Sequence, residues 1–383
     1  MRILCLLAED PFPPQNGVTI PMYNHIMHFK KMGFTVDYIA FNSLVGSNHK
    51  DNKILRVFKE LFFIEPYFTI DNYDKYLKDF ILKKGGYDVI YYSPISMWKI
   101  AKHSKNINLE LFNKEPKVIA AISDCYTSVL RGYLNSHTNL VPSHILKVIR
   151  SYYMGVLEKK ILINADLVLV QTKKDKKWLE KINYNKNIMI VTNGVDSSLL
   201  DLKYNFSKNA VYVANIKSDF YRNKLYWLVK EIWPKIVKLH PDAILHIYVG
   251  NYDVKLFDDF ELNNIKLYTQ FVDNLQDIYI GKTISIAPIF KDYGFINKVA
   301  ESMASGLIVI GDSSAFNSID AVDSFLVAES GLDFVECINK VFSDQEYATR
   351  ISMNAKQFSI QNFSWQMRLK EFNLLLEQWN SEI

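Results

Sequence analysis

The chain has 383 residues, more than the ~250–300 at which a single hydrophobic core stops growing, so two domains are expected. Hydrophobic residues at 49% and charged residues at 22% exclude the disordered and fibrous classes. The net charge of +4 conceals a split: residues 1–200 carry 27 Lys/Arg against 18 Asp/Glu, and residues 201–383 carry 18 against 23.

The opening MRILCLLAED reads as a strand and not as a secretion signal, because Glu9 and Asp10 end a short apolar stretch and no small-residue cleavage site follows. Strands are predicted at Ile3–Ala8, Val36–Phe41, Val89–Tyr92, Val118–Ile122, Leu167–Gln171 and Ile188–Thr192, with helices between them such as Ile20–Met32 and Ile145–Asn164. The pattern restarts at Val211–Asn215 and continues through Ile244–Val249, Ile265–Tyr268, Ile284–Ala287, Leu307–Ile310 and Phe325–Val327. Ile/Val-rich runs alternating with helical segments predict parallel sheets covered on both faces, hence two doubly wound α/β domains in tandem. Their join falls within Asn193–Asn209, and a last amphipathic stretch near Trp365–Trp379 stands outside the second sheet. No apolar run reaches the ~18–20 residues that cross a bilayer. Cys5, Cys125 and Cys337 lie far apart without CxxC spacing, which argues against a zinc site or a disulfide framework.

Ligands of such sheets bind beyond the carboxyl ends of the strands, so the strand-to-helix loops carry the chemistry. The loop from Glu9 to Val18 has three prolines and then Asn16-Gly17 before a helix, where backbone N–H groups can approach an anion or the loop can be a plain connection. It is not a GxGxxG fingerprint. The strongest segment runs from Lys291 to Gly306: Gly294 permits a tight turn, and the following residues open a helix whose free N–H groups suit an anion. Lys298 and Glu301 are three apart and share a helix face. One can neutralise phosphate while the other accepts hydrogen bonds from vicinal hydroxyls, as in a sugar-nucleotide clamp; the alternative is an exposed surface ion pair. His25 and His28 share a face of the first helix, where packing or solvation outweighs metal binding in the absence of further ligands.

GFINKVAESMASGLIVIG resembles the signature of GT-B glycosyltransferases of family 4, the group 1 glycosyltransferases, whose common form is G-x-x-N-K-V-L-E-A-M-A-x-G-x-P-V-V. Further pieces follow in the same order along nearly the whole chain: Asn16-Gly17, Ala165–Val170, Val191–Asp196, Val249-Gly250, Phe271-Val272-Asp273 and Phe363-Ser364-Trp365. Gln270 stands where glycine is usual. The resemblance implies a GT-B fold of two Rossmann-like domains facing across a cleft. Residues 1–197 would bind the acceptor and 198–364 the nucleotide sugar, with a C-terminal helix, 365–383, crossing back to the first domain.

It further implies a retaining, metal-independent transfer that uses a nucleotide-sugar donor as substrate and no cofactor; the chain contains no Asp-x-Asp. By carry-over, Lys298 binds the diphosphate, Glu301 the ribose hydroxyls, and the backbone of Gly294, Phe295, Ile296 and Asn297 covers the phosphates or the transferred sugar. Two departures stand out. Tyr293 occupies the place of the first Glu of an E-x7-E pair, and the R-x4-K diphosphate pair after the first strand of the second domain is missing. Asn215, Lys217 and Arg222 fall there, and either cation could substitute or be a solvated surface charge. Phe271 and Val272 could abut the base. Asp124 follows a strand of the first domain, where it could orient an acceptor hydroxyl, act as base or cap the next helix.

The expected function is therefore transfer of a hexose-type sugar to a hydroxyl of a glycan or lipid-linked acceptor in surface polysaccharide or glycoconjugate synthesis, without nucleic acid as partner. Alternatives are a non-catalytic glycosyltransferase-like binding subunit and a nucleotide-sugar epimerase on the same fold. A cytoplasmic location is expected. Lys83-Lys84, Lys159-Lys160, Lys173-Lys174 and Lys176-Lys177, with the apolar run Leu61-Phe62-Phe63, suit peripheral contact with the inner face of an anionic membrane, unless they form an ordinary solvated face.

Overall fold

The computed structural model describes residues 1–14, 19–44, 73–122, 125–128, 130, 142–183, 186–216, 219–250, 264–270, 272–289 and 295–383. They form two compact units: Met1–Asn193 with Leu369–Ile383, and Gly194–Arg368. The first holds 28 Lys/Arg against 20 Asp/Glu and the second 17 against 21, so the charge split follows the structural division.

In the first unit, strands β1 (Arg2–Leu7), β2 (Thr35–Ala40), β3 (Val89–Ser93), β4 (Lys117–Ala121), β5 (Leu167–Val170) and β6 (Ile188–Ile190) form one parallel sheet in the order β2-β1-β3-β4-β5-β6. All five residues of β3 and all four of β5 are buried, which is why these strands read as unbroken apolar runs and not as alternations. Helix Lys370–Ser381 belongs to this unit. Its Phe372 ring packs 5.8 Å from Phe29 and 6.1 Å from His25, and Trp379 lies under the Lys117 ammonium. The amphipathic stretch read as one helix is two: Trp365–Arg368 ends before Leu369, whose ψ of 1° leaves helical geometry, and Lys370–Ser381 follows.

In the second unit, β7 (Asn209–Val213), β8 (Ile244–Tyr248), β9 (Ile265–Tyr268), β10 (Ile284–Ala287), β11 (Ile308–Gly311) and β12 (Phe325–Val327) form a parallel sheet ordered β12-β11-β10-β7-β8-β9. The chain runs outward from β7 through β9, then restarts on the other side of β7 with β10. This reversal opens a crevice beyond the carboxyl ends of β7 and β10. Helix Asp219–Trp227 continues through a π turn, Leu228–Ile232, into Trp233–Leu239. Pro234 has no N–H and its ring would meet the carbonyl four residues back, and the wider turn relieves both problems.

The twelve strands lie within two residues of their sequence-based positions. Two of the separate family-like pieces meet each other. Val195 N–H donates to Phe363 O at 2.8 Å, Val195 pairs with Ser364, and a Cβ on Gly194 would lie 2.6 Å from Cγ of Trp365. Glycine is required there because an indole occupies the space.

Candidate active site

Helix Asn297–Ala304 starts beyond β10, and its lysine reaches across the crevice. Lys298 Nζ donates to the carbonyl of Val213, the last residue of β7, at 3.0 Å. The ammonium also lies 4.5 Å from the ring centre of Tyr221 and 5.6 Å from that of Tyr212. Burial lowers the Lys298 pKa to about 8, against the opposing pull of Glu301. One carbonyl and two ring faces thus stand in for water around a cation held at the switch point.

One helical turn on, Glu301 Oε2 accepts a hydrogen bond from the Tyr279 hydroxyl at 2.8 Å. Burial raises the Glu301 pKa; the Tyr279 bond lowers it, the Asp196 carboxylate raises it and Lys298 lowers it. Tyr279 itself is fully buried and sits at the end of the short helix Leu275–Tyr279, so Glu301 is aimed by a rigid partner. Ile296 precedes the helix with extended backbone (φ −99°, ψ 97°) and supplies no side-chain cap, while its carbonyl accepts Val299 N–H at 3.0 Å.

The segment entering this helix is tied down at both described ends. Asp312, buried just after β11, accepts Ile289 N–H at 2.5 Å through Oδ1 and Ser314 N–H at 3.0 Å through Oδ2. At the other end, the Arg368 guanidinium lies 5.5 Å from the Phe295 ring centre and 5.0 Å from that of Phe363. Burial lowers the Arg368 pKa to about 10, and its Nε has no hydrogen-bond partner among the described residues.

The structure thus brings Phe295, Ile296, Asn297, Lys298 and Glu301 together at the crevice. Asn215 is exposed two residues after β7, and Arg222, in helix Asp219–Trp227, donates from Nε to Ile216 O at 3.4 Å. Val272 is half-buried against the core cluster containing Tyr279 and Val299. Asn16, Gly17, Asp124, Lys217, Phe271, Tyr293 and Gly294 lie outside the described residues. His25 and His28 turn to separate partners: His25 Nδ1 bonds the Tyr91 hydroxyl at 2.8 Å, and His28 Nε2 bonds Asn373 Oδ1. Burial lowers both pKa values, that of His25 to about 3.

Sequence reasoning missed Tyr221, Tyr279, Asp312 and Arg368. Tyr279 and Tyr221 lie 22 and 77 residues from their partners, and no local spacing announces them. Arg368 carried a signal, since it lies three residues past Trp365, where the resemblance ends.

Residues 207–344 match the model of the family described as Glycosyl transferases group 1. Comparison with curated proteins finds no match. Among solved structures, the fold resembles sucrose-phosphate synthase from Thermosynechococcus elongatus, with 14% identity, all of both chains covered and a TM-score of 0.67. It also resembles TarM (13% identity, 99% of both chains, TM-score 0.66). A third likeness is to Anabaena HepE in complex with UDP-glucose (13% identity, 98% of this chain and 99% of that one, TM-score 0.60). These likenesses show the fold: two Rossmann-like domains of the GT-B type.

Proposed function

We propose that the chain is a retaining glycosyltransferase that moves a hexose-type sugar from a nucleotide-sugar donor to a hydroxyl of a glycan or lipid-linked acceptor, without a metal. The observation that carries this reading is the pair Lys298 and Glu301, set at the β7–β10 switch point inside the segment that matches the group 1 family. A half-buried ammonium with a lowered pKa suits a diphosphate, and a carboxylate fixed through one oxygen by Tyr279 suits vicinal ribose hydroxyls. The backbone of Phe295, Ile296 and Asn297 would lie along the phosphates, with Asn16, Gly17, Asn215, Lys217, Arg222, Phe271, Val272 and Gly294 as further donor contacts. Asp124 and Tyr293 would serve the acceptor and the transferred sugar.

In the reaction, the bond from the sugar's anomeric carbon to the diphosphate oxygen breaks and a bond to the acceptor oxygen forms on the same face. The leaving diphosphate takes the acceptor proton. Lys298 and the helix amides favour the charge that develops on that leaving group, which is electrostatic stabilisation combined with positioning. One TarM structure contains UDP and a HepE structure contains UDP-glucose, which supports UDP-sugars as the first donors to try.

The test is calorimetric titration of the full chain with a nucleotide-sugar panel, followed by assay of released nucleotide with and without acceptors. Glu301→Ala is expected to lose donor binding while its melting curve stays that of a folded protein. Unchanged affinity for every donor that binds wild type would overturn the assignment. Binding without turnover would favour the non-catalytic subunit, and a new nucleotide sugar released without acceptor would favour the epimerase.

A further inference from the structure

Helix Pro142–Asn164 in the first unit is apolar on two sides. One side enters the core through Met154, Leu157, Ile161 and Leu162. The other carries Ile145, Val148, Ile149 and Tyr152, 60%, 53%, 43% and 78% exposed, with Ile163 further along the same side. Spacings of three and four residues place the first four in one outward row, and Ile163, eleven residues past Tyr152, returns to that side, where an ordinary surface helix is polar.

Among the described side chains of this helix, the exposed charges have one sign. Arg150, Lys159 and Lys160 are exposed, whereas the helix's only acid, Glu158, is fully buried and accepts from Thr127 N at 3.1 Å and Trp178 Nε1 at 3.0 Å. Trp178 belongs to helix Lys173–Ile182, which exposes Lys173, Lys174 and Lys177, while its Asp175 is buried and its half-buried Glu180 lies 3.9 Å from Lys176 Nζ. At the far end, Lys160 and Lys99 lie 5.3 and 5.9 Å from the Trp98 ring centre, and amphipathic tryptophan beside lysine is a usual pairing at a lipid headgroup layer.

We infer that this face rests on an anionic lipid surface. The row from Ile145 to Tyr152 enters the boundary between headgroups and acyl chains, and Lys159, Lys160 and the lysines of 173–182 meet lipid phosphates. The helix lies along the surface, because its opposite side is committed to the protein core, and no helix among the described residues is long and apolar enough to cross a membrane. Charge selects lipid over a second copy of the chain: a twofold contact through this face would bring two cationic patches together, whereas an anionic lipid surface complements them. The inference rests on this surface alone and stands independently of the glycosyl-transfer reading; if the acceptor is lipid-linked, the surface brings the protein to it.

Co-sedimentation of the full chain with phosphatidylcholine vesicles, with and without phosphatidylglycerol, at low and high salt, tests it. Wild type should bind the anionic vesicles only, and salt should weaken the binding. Ile149→Ser with Tyr152→Ser removes apolar area without changing charge, and Lys159→Glu with Lys160→Glu reverses two exposed charges. Each pair is expected to raise the lipid needed for half-binding about tenfold or more. Donor binding on the same samples should not change, which separates this outcome from failure of the proposed activity. The inference is overturned if wild type ignores anionic vesicles or if folded variants bind as well as wild type. It is also overturned if Tyr152→Ser dissolves a dimer in sedimentation while wild type shows no affinity for vesicles. The lysine pair, fully on the surface, keeps the test open if the apolar pair fails to fold.

Discussion

Lys298 is held in a setting that disfavours its own charge. Its pKa, lowered to about 8 by burial, means that between about pH 8 and the ordinary lysine value the unfolded chain binds a proton that the folded chain does not. Stability from this group therefore rises with pH through that window and is least below it. A bound diphosphate reverses the preference by favouring the ammonium, so donor affinity should be highest below about pH 8 and fall above it. Lys298→Met is expected to lose about 10–100-fold in UDP affinity, the worth of a charge-assisted hydrogen bond of about 1.5–3 kcal/mol, and to flatten that pH dependence. Calorimetric titration with UDP on either side of pH 8 checks both; a pH dependence that persists in the variant would assign it elsewhere. At the neighbouring carboxylate, Tyr279→Phe removes the 2.8 Å bond to Glu301 and keeps the ring. A loss of about 3–10-fold in donor affinity with kcat nearly unchanged is expected, since Tyr279 acts through Glu301 and not on the reacting atoms.

At the scale of elements, strands and site helix were readable while their fastenings were not. Apolar runs announced the twelve described strands, most plainly β3, β5, β10 and β11, which are buried throughout, and the three-residue spacing of Lys298 and Glu301 already placed them on one side of a helix. What aims those side chains arrives from other elements: Tyr279 from a five-residue helix, Tyr221 from the helix after β7, and Asp312 from the end of β11. Such contacts are products of tertiary folding and leave no period in the chain. The pieces Val191–Asp196 and Phe363–Trp365 were legible as family-like but not as partners, and the structure makes them a joint where Gly194 faces Trp365. Asp312 shows how a fastening governs the site. Asp312→Ala strands the N–H groups of Ile289 and Ser314, at about 1–3 kcal/mol each where no water substitutes. A fall of roughly 5–15 °C in the melting temperature of the second unit is expected, together with weaker donor binding, because the site segment starts at Ile289. Calorimetric scanning with and without UDP reads both.

For the whole molecule, the chain builds two cores but does not divide cleanly along its length: after closing the second unit at Arg368 it returns fifteen residues, 369–383, to the first. That return makes the C-terminus part of the first unit's stability. Phe372, fully buried between Phe29 and His25, is the largest side chain it contributes there apart from Trp379. Phe372→Ala should cost about 3–5 kcal/mol, the usual cost of emptying an aromatic site in a core. Because the cavity opens in the first unit only, the variant should lower the thermal transition of that unit by on the order of 10 °C and leave the other transition in place. Affinity for UDP should survive at temperatures where both units are folded, since Lys298, Glu301, Tyr279 and Asp312 all belong to the second unit. Asp312→Ala should give the reverse pattern, with the second transition lowered and UDP affinity reduced. The two variants together ask which unit owns the donor. If Phe372→Ala abolishes UDP binding while the second transition stays intact, Lys298 and Glu301 are not the principal donor contacts, and the assignment of roles to the two units fails.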